Sequence, residues 1–390
     1  MKVCSMFSQL LPLVDRWEFD RLVRSTGVGK GQKGFSSWDQ FVALLFCQLG
    51  HAHSLREIHG GLASCVGKLV HLGMKKAPAV STLSYANGTR SYVFFEELFY
   101  VLLKRLAADH KGRHKFRFKN KLLSIDASVI DLSLSLYDWA DYRRTKGAVK
   151  LHLQLDHDGH LPCFAVVTEG KTHEVTVARG MQFERGTIVV MDRGYNDYGW
   201  FDRLSDDGVF FVTRLKSNAA YSVVEELALP HRRNLLSDQI IVFKRPGHDL
   251  NGAGQPHLYR RVRVLDDASG EILEFLTNNL RLSPATIAAI YKDRWQIELF
   301  FKALKQNLKI KTFLGTSANA VKTQIWTALI AMLLIKYLQL KSTYKWSLSN
   351  LVALLRMNLF VHRDLWDWLD WPMRLPPDII STTQASFEFE

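Results

Sequence analysis

Four consecutive apolar residues, Ile188, Val189, Val190 and Met191, stop abruptly at Asp192, and this run constrains the chain more than any other segment. Successive side chains of a strand point to opposite faces, so an unbroken apolar run is stable only where both faces are covered. The run predicts a central strand in an α/β layout, with a carboxylate at its carboxyl end. A second strand is read over 122–134 (LLSIDASVIDLSL), carrying Asp126 inside its apolar run. Further strands are read over 149–155 and 161–168, joined by a hairpin at Asp158-Gly159, and over 209–213. A carboxylate among strand hydrophobes is costly to bury unless paired or metal-bound. Two of them, Asp126 and Asp192, point to a shared cation site, although each alone is equally well explained as the cap of a following element.

A chain of 390 residues is longer than one hydrophobic core usually serves, so two or three domains are expected. They are read as a helical basic region over 1–118, the first part of the α/β core over 119–216, a β-rich insertion over 217–282, a second, helical part of the core over 283–345, and a C-terminal tail over 346–390. With 47% hydrophobic and 23% charged residues, the composition excludes an intrinsically disordered chain. Cys4, Cys47, Cys65 and Cys163 form no CxxC pair, which argues against a zinc knuckle or a disulfide framework and suits a reducing cytosol. No secretory leader is expected from the first residues. The apolar stretch 325–340 is short for a membrane span and holds Lys336, so it reads as a buried core helix.

The formal net charge is +13, and residues 1–121 carry 19 Lys+Arg against 8 Asp+Glu, so most of the excess sits in the first third. Clustered positive charge attracts a polyanion by releasing its condensed counterions. Helices are read over 36–50, from Ser54 with Glu57 as a capping box and an end at Gly60-Gly61, from Ser81-Thr82, and over 94–106. Such a set is either a DNA-binding module, a helix-turn-helix among the options, or a plain helical bundle. Lys111, Arg113, Lys115, Arg117, Lys119 and Lys121 occupy every second position. A strand there would present a wholly cationic face to a DNA backbone, with Lys115 and Arg117 as candidate contacts; a linker would leave the row solvated.

Ser283 and Pro284 start a long helix, as N-cap and first helical residue. On it Tyr291, Arg294, Glu298, Lys302 and Lys305 fall at offsets 0, 3, 7, 11 and 14. On a continuous helix these project within a sector of roughly 80°. Ile290, Ile297, Phe301, Leu304 and Leu308 form an apolar stripe beside them, which docks the helix on the sheet and aims Glu298 at the strand carboxylates. A solvated, salt-bridged helix face would leave Tyr291 and the two strand aspartates unexplained. Three carboxylates, Asp126, Asp192 and Glu298, offer hard oxygen ligands to two Mg²⁺ or Mn²⁺ ions, the arrangement that in-line displacement at a phosphodiester needs. Arg294, Lys302 and Lys305 would hold phosphates.

In these residues the chain resembles the insertion-sequence-four family of transposases. The family signature Y-x2-R-x3-E-x6-K is matched by Tyr291, Arg294, Glu298 and Lys305, and Asp126 and the run Asp192-Arg193-Gly194-Tyr195 fit the pattern as well. The resemblance covers residues 119–340. It implies a ribonuclease-H-like catalytic domain with Asp126, Asp192 and Glu298 as a metal-binding DDE triad, and Tyr291, Arg294 and Lys305, with Arg193, engaging transposon-end DNA. It further implies double-stranded DNA as partner at ends and target, a homodimer on that DNA, a bacterial cytosol and no membrane. The expected function is metal-dependent cleavage and strand transfer for a bacterial insertion sequence. A regulator without chemistry and a metal-dependent nuclease are the alternatives. Some members stack a flipped base on a tryptophan of the insertion; residues 217–280 hold none, leaving Tyr259 or Phe275 as substitutes.

The segment 27–34 (GVGKGQKG) lacks the phosphate-loop spacing and reads as a flexible basic loop. His51, His53 and His59 read as ordinary histidines rather than a metal cluster. Lys150 and His152, with His173-Glu174, stand as accessory residues near the site, and Trp366, Trp368 and Trp371 as either a protein-contact patch or local packing.

Overall fold

A computed structural model describes residues 4–32, 34–109, 116–132, 137–143, 146–230, 234–244, 257–310 and 312–374. The N-terminal helices are α1 (Met6–Leu10), α2 (Arg16–Ser25), α3 (Ser37–Gly50), α4 (Leu55–Ala63), α5 (Val80–Thr89) and α6 (Val93–Ala108). Ser36 and Asp39 close a reciprocal capping box on α3, which ends at His51 in the left-handed region. Ser54 caps α4 as expected, but α4 runs on through Gly60 and Gly61. A Cβ on Gly61 would sit 2.7 Å from the Phe46 ring, so this glycine serves close packing of α4 on α3, not a helix end. The alternating row of Lys and Arg does not form a strand over 116–121. There Phe116 and Phe118 stack on each other at 5.1 Å and pack on the core beneath the sheet, which turns Arg117 and Lys119 outward; Lys115 lies outside the described residues.

The strands are β1 (Leu122–Leu132), β2 (Asp141–Arg143), β3 (Lys146–Asp156), β4 (Leu161–Glu169), β5 (Ile188–Val190), β6 (Phe210–Arg214), β7 (Tyr221–Glu226), β8 (Leu235–Phe243), β9 (Tyr259–Leu265) and β10 (Ile272–Thr277). Interleaved with them are α7 (Glu174–Ala178) and α8 (Tyr198–Asp206), and after them come α9 (Pro284–Asp293), α10 (Trp295–Asn307), α11 (Ala318–Lys341), α12 (Leu348–Met357) and α13 (Leu365–Asp370). β1 is central: β3 pairs with it antiparallel, β4 joins β3, and β5 and β6 follow in parallel on the other side. This order is the expected ribonuclease-H-like core. Ile188, Val189 and Val190 are fully buried, with their side chains divided between two cores. Val189 packs with α8 residues Trp200, Phe201 and Leu204 on one face, and Ile188 and Val190 pack with Ile287 and Ile290 of α9 on the other.

The segment read as an insertion does not stand apart from this sheet. β10 pairs with β6, and β9, β8 and β7 continue outward, so one sheet of ten strands carries both. The region read as a C-terminal tail is likewise built in as far as Arg374, the last described residue. α12 and α13 share one hydrophobic core with α1 to α6, α10, α11 and the inner faces of β3 and β4. Of the three tryptophans there, Trp368 is buried against Trp346, whereas Trp366 and Trp371 are exposed. The axis of this core is α11, 24 residues long and buried over most of its length. It is long and apolar enough to cross a membrane, but here its apolar surface is covered by protein.

Candidate active site

The parallel register of β1 and β5 pairs Leu122 with Ile188 and Ser124 with Val190. Two residues further on, Asp126, inside β1, and Asp192, just past the carboxyl end of β5, therefore stand level with each other on adjacent strands. By the alternation of the strands both belong to the face on which α9 packs. Asp126 accepts the Ala127 amide at 2.8 Å, and Asp192 accepts the Gly194 amide at 2.8 Å, capping the short turn Arg193–Tyr195. Burial pushes the Asp126 carboxyl up to about 7, aided by the charges of Asp192 and Glu174 and opposed by the Ala127 hydrogen bond and Arg294.

The third carboxylate arrives on a helix that is not continuous. α9 ends at Asp293 and α10 starts at Trp295, with Arg294 between them. Three-residue hydrogen bonds, Arg294 N–H to Tyr291 O at 3.1 Å and Ile297 N–H to Arg294 O at 3.0 Å, tighten the chain there. The cause lies in the core. His157 Nδ1 and the Asp293 carboxylate meet at 2.5 Å, and His157 Nε2 and Ser124 Oγ meet at 2.7 Å. All three side chains are buried, and His157 N–H donates to Leu122 O. The pairing draws Asp293 inward and clamps the helix junction to β1, two residues before Asp126. None of the three was singled out from sequence. Only Ser124 interrupts an apolar run; His157 and Asp293 sit among other charged residues, where nothing in the sequence marks them.

Arg294 is the hub of the resulting site. One terminal nitrogen lies 2.5 Å from Glu298 Oε1, the other 3.8 Å from Asp126 Oδ2, and the guanidinium covers the Tyr291 ring at 5.4 Å. Tyr291 rests on Phe275 at 5.1 Å, and burial pushes its hydroxyl up. Lys305 donates to the Val129 carbonyl at 2.7 Å and so ties α10 to β1. Arg193 and Lys302 are exposed, Arg193 beside Asp192 and Lys302 over a neighbouring cavity. Lys150 and His152 lie on the opposite face: they pair with Val129 and Ala127, which alternate with Asp126 along β1, and Lys150 meets Glu174 there at 3.4 Å. Tyr259 and Phe275 are both buried, so neither offers a free platform for a flipped base.

Among the described residues no three Asp, Glu, His or Cys side chains are gathered closely enough to hold an ion as they stand, because Glu298 is turned onto Arg294. The donor chemistry nevertheless fits a hard divalent cation, which takes carboxylate oxygens. Burial disfavours the charged form of Asp126, and a cation bound beside it would offset that cost. The buried Arg294 Nε has no hydrogen-bond partner among the described residues, so the polar network is not closed.

Residues 117–334 match the family model described as "Transposase DDE domain", and residues 3–75 match a domain of unknown function (DUF4372). A Sinorhizobium fredii protein named as a transposase, y4zB, is 32% identical over 292 residues, which is 74% of this chain and 80% of the relative. A Geobacillus stearothermophilus protein named as a transposase for insertion sequence element IS5377 is 31% identical over 251 residues, 62% of this chain and 65% of the relative. A Synechocystis protein named for element IS4SA is 26% identical over 277 residues, 66% of this chain and 71% of the relative. The chain belongs to the DDE transposase family, in its insertion-sequence-four branch.

Proposed function

We propose that this transposase binds the terminal inverted repeats of its insertion sequence and cuts and rejoins phosphodiester bonds at Asp126, Asp192 and Glu298. The observation that carries the reading is the alignment of Asp126 and Asp192 across the β1–β5 pair, with Glu298 linked to Asp126 through a single guanidinium. Asp126, Asp192 and Glu298 would hold two Mg²⁺ or Mn²⁺ ions, which when bound activate the attacking oxygen and stabilise the leaving one. The protein's own part is positional. The His157–Asp293 clamp fixes the junction from which Arg294 and Glu298 project, and Gly194 lets the backbone close on Asp192, since a Cβ there would meet Asp192 Oδ1 at 3.0 Å. Arg294 holds Glu298 until DNA arrives and then offers its planar donors to a phosphate. Tyr291, Lys305 and Arg193 line the approach, and the exposed cations of the N-terminal third, Arg117 among them, lie along the flanking duplex. Two ends are joined by two copies of the chain, so a homodimer on DNA is part of the reading.

The test is Mg²⁺-dependent cleavage of a supercoiled plasmid carrying the element's own ends. Wild type should cut at the ends, and Asp192→Asn and Glu298→Gln should fall to background while still retarding end DNA. Cleavage that survives both substitutions would remove these carboxylates from the chemistry. End binding without cleavage by wild type would favour the regulator, and cutting without joined products the nuclease.

A further inference from the structure

Within the apolar stretch 325–340 of α11, Lys336 is the one charged residue. The Lys336 side chain enters a cavity of about 440 Å³ whose wall is completed by Gln296, Lys302 and Gln306 of α10 and by His160 of the turn before β4. No carboxylate lines the cavity, and no described Asp or Glu lies within ion-pair distance of Lys336 or Lys302. Lys336 Nζ donates to Gln339 Oε1 at 3.0 Å, one acceptor for a group with three donors. Burial pulls the ammonium down to about 8. Holding a cation in such a place is unfavourable unless an anion joins it. The fold does not need a cation there, because a Met of similar length would fill the same space. The cavity also has a defined relation to the site. Lys302 lies one helical turn beyond Glu298 on α10, about 6 Å along the axis, a step of one or two nucleotides along a DNA strand.

We propose that this cavity is a phosphate pocket, in which Lys336 and Lys302 grip the backbone of the DNA strand a nucleotide or two from the bond cut at Glu298. The glutamine carboxamides supply neutral N–H donors to the remaining phosphate oxygens. The assignment rests on the DDE reading of the neighbouring site. In the free protein the pocket is a local excess of positive charge; with DNA bound, Lys336 gains an anionic acceptor in addition to Gln339.

The experiment measures binding of the full chain to a labelled duplex carrying one end of the element, across a salt series, for wild type, Lys336→Met and Lys336→Arg. Lys336→Met should keep or raise the melting temperature while weakening binding about tenfold, the loss of one charge-assisted contact. Its plot of log affinity against log salt should be shallower by about 0.9, one phosphate fewer. Lys336→Arg should keep the wild-type slope. A folded Lys336→Met protein with wild-type affinity and slope would overturn the pocket and leave the catalytic reading untouched. Should Lys336→Met not fold, Lys336→Gln with the same readouts decides. Wild type that binds the duplex without salt dependence, or that still cleaves as Asp192→Asn, would instead remove the reading on which the pocket rests.

Discussion

Asp126 shows why the site costs the fold something. A carboxyl normally titrates near 3.9 in an unfolded chain, and here it is raised to about 7. Between those values the folded protein binds more protons than the unfolded one, so stability falls as pH rises from about 4 to about 7 and stays lowered above that. Asp126→Asn should therefore stabilise the metal-free protein above pH 7, by an amount of order 2–4 kcal/mol, with the gain vanishing below about pH 4. Melting temperature against pH in the presence of chelator measures this; parallel curves for the two proteins would show that burial of this charge is not the cost argued here. Mg²⁺ above pH 7 should raise the melting temperature of wild type and leave Asp126→Asn nearly unmoved. The two strand aspartates were legible from sequence because a charge interrupting an apolar run has few explanations. Lys305 was legible as a residue but not in its contact: helical spacing sets its direction, and only the packed distance to Val129 shows that a backbone carbonyl receives it.

At the scale of elements, the junction of α9 and α10 is the feature that the helical pattern misread. Spacing alone predicts one helix, because every residue from 284 to 307 tolerates helical geometry and the break is imposed from outside. His157, on the β3–β4 turn, imposes it by holding Asp293. His157→Leu strips the buried Asp293 carboxylate of its imidazole and should cost about 3–5 kcal/mol in urea denaturation. Pairing it with Asp293→Leu should recover most of that loss, since an apolar pair of similar volume replaces a buried polar one. Additive effects of the two substitutions would mean that the contact does not couple the turn to the helix junction. A second buried pair supports the approach to α9: Arg260 on β9 grips Asp238 on β8 through two nitrogens and donates to Leu280 O and Leu282 O, just before Ser283 caps the helix. Both clamps join residues 20 or more apart in sequence, which no local pattern reveals.

Across the whole molecule, the N-terminal helices are not a module attached to a self-sufficient catalytic domain. α3, α5 and α6 wrap α11, and together with α12 they enclose Trp326, Leu329 and Leu333. A fragment limited to residues 117–334, the span of the family match, would expose that surface to water. It should be recovered as aggregate or as a species binding hydrophobic dye, whereas the full chain should unfold its helical layers in a single transition; a monodisperse fragment that melts cooperatively would show that the catalytic half folds alone. The sequence by itself determined the elements whose cause is local: the doubly buried strand at 188–191, the capped start of α9, the hairpin before β4, and the family signature across α9 and α10. It also determined that the apolar stretch 325–340 belongs to a core, since so apolar a run must be covered by something, although the structure extends it to a helix of 24 residues. Only the tertiary structure decided what covers it, that the β-rich segment extends the central sheet, and that Arg294 stands between two acids. Those outcomes depend on which apolar faces meet and which buried charges find partners across the chain, and such energies appear only once distant segments are packed together.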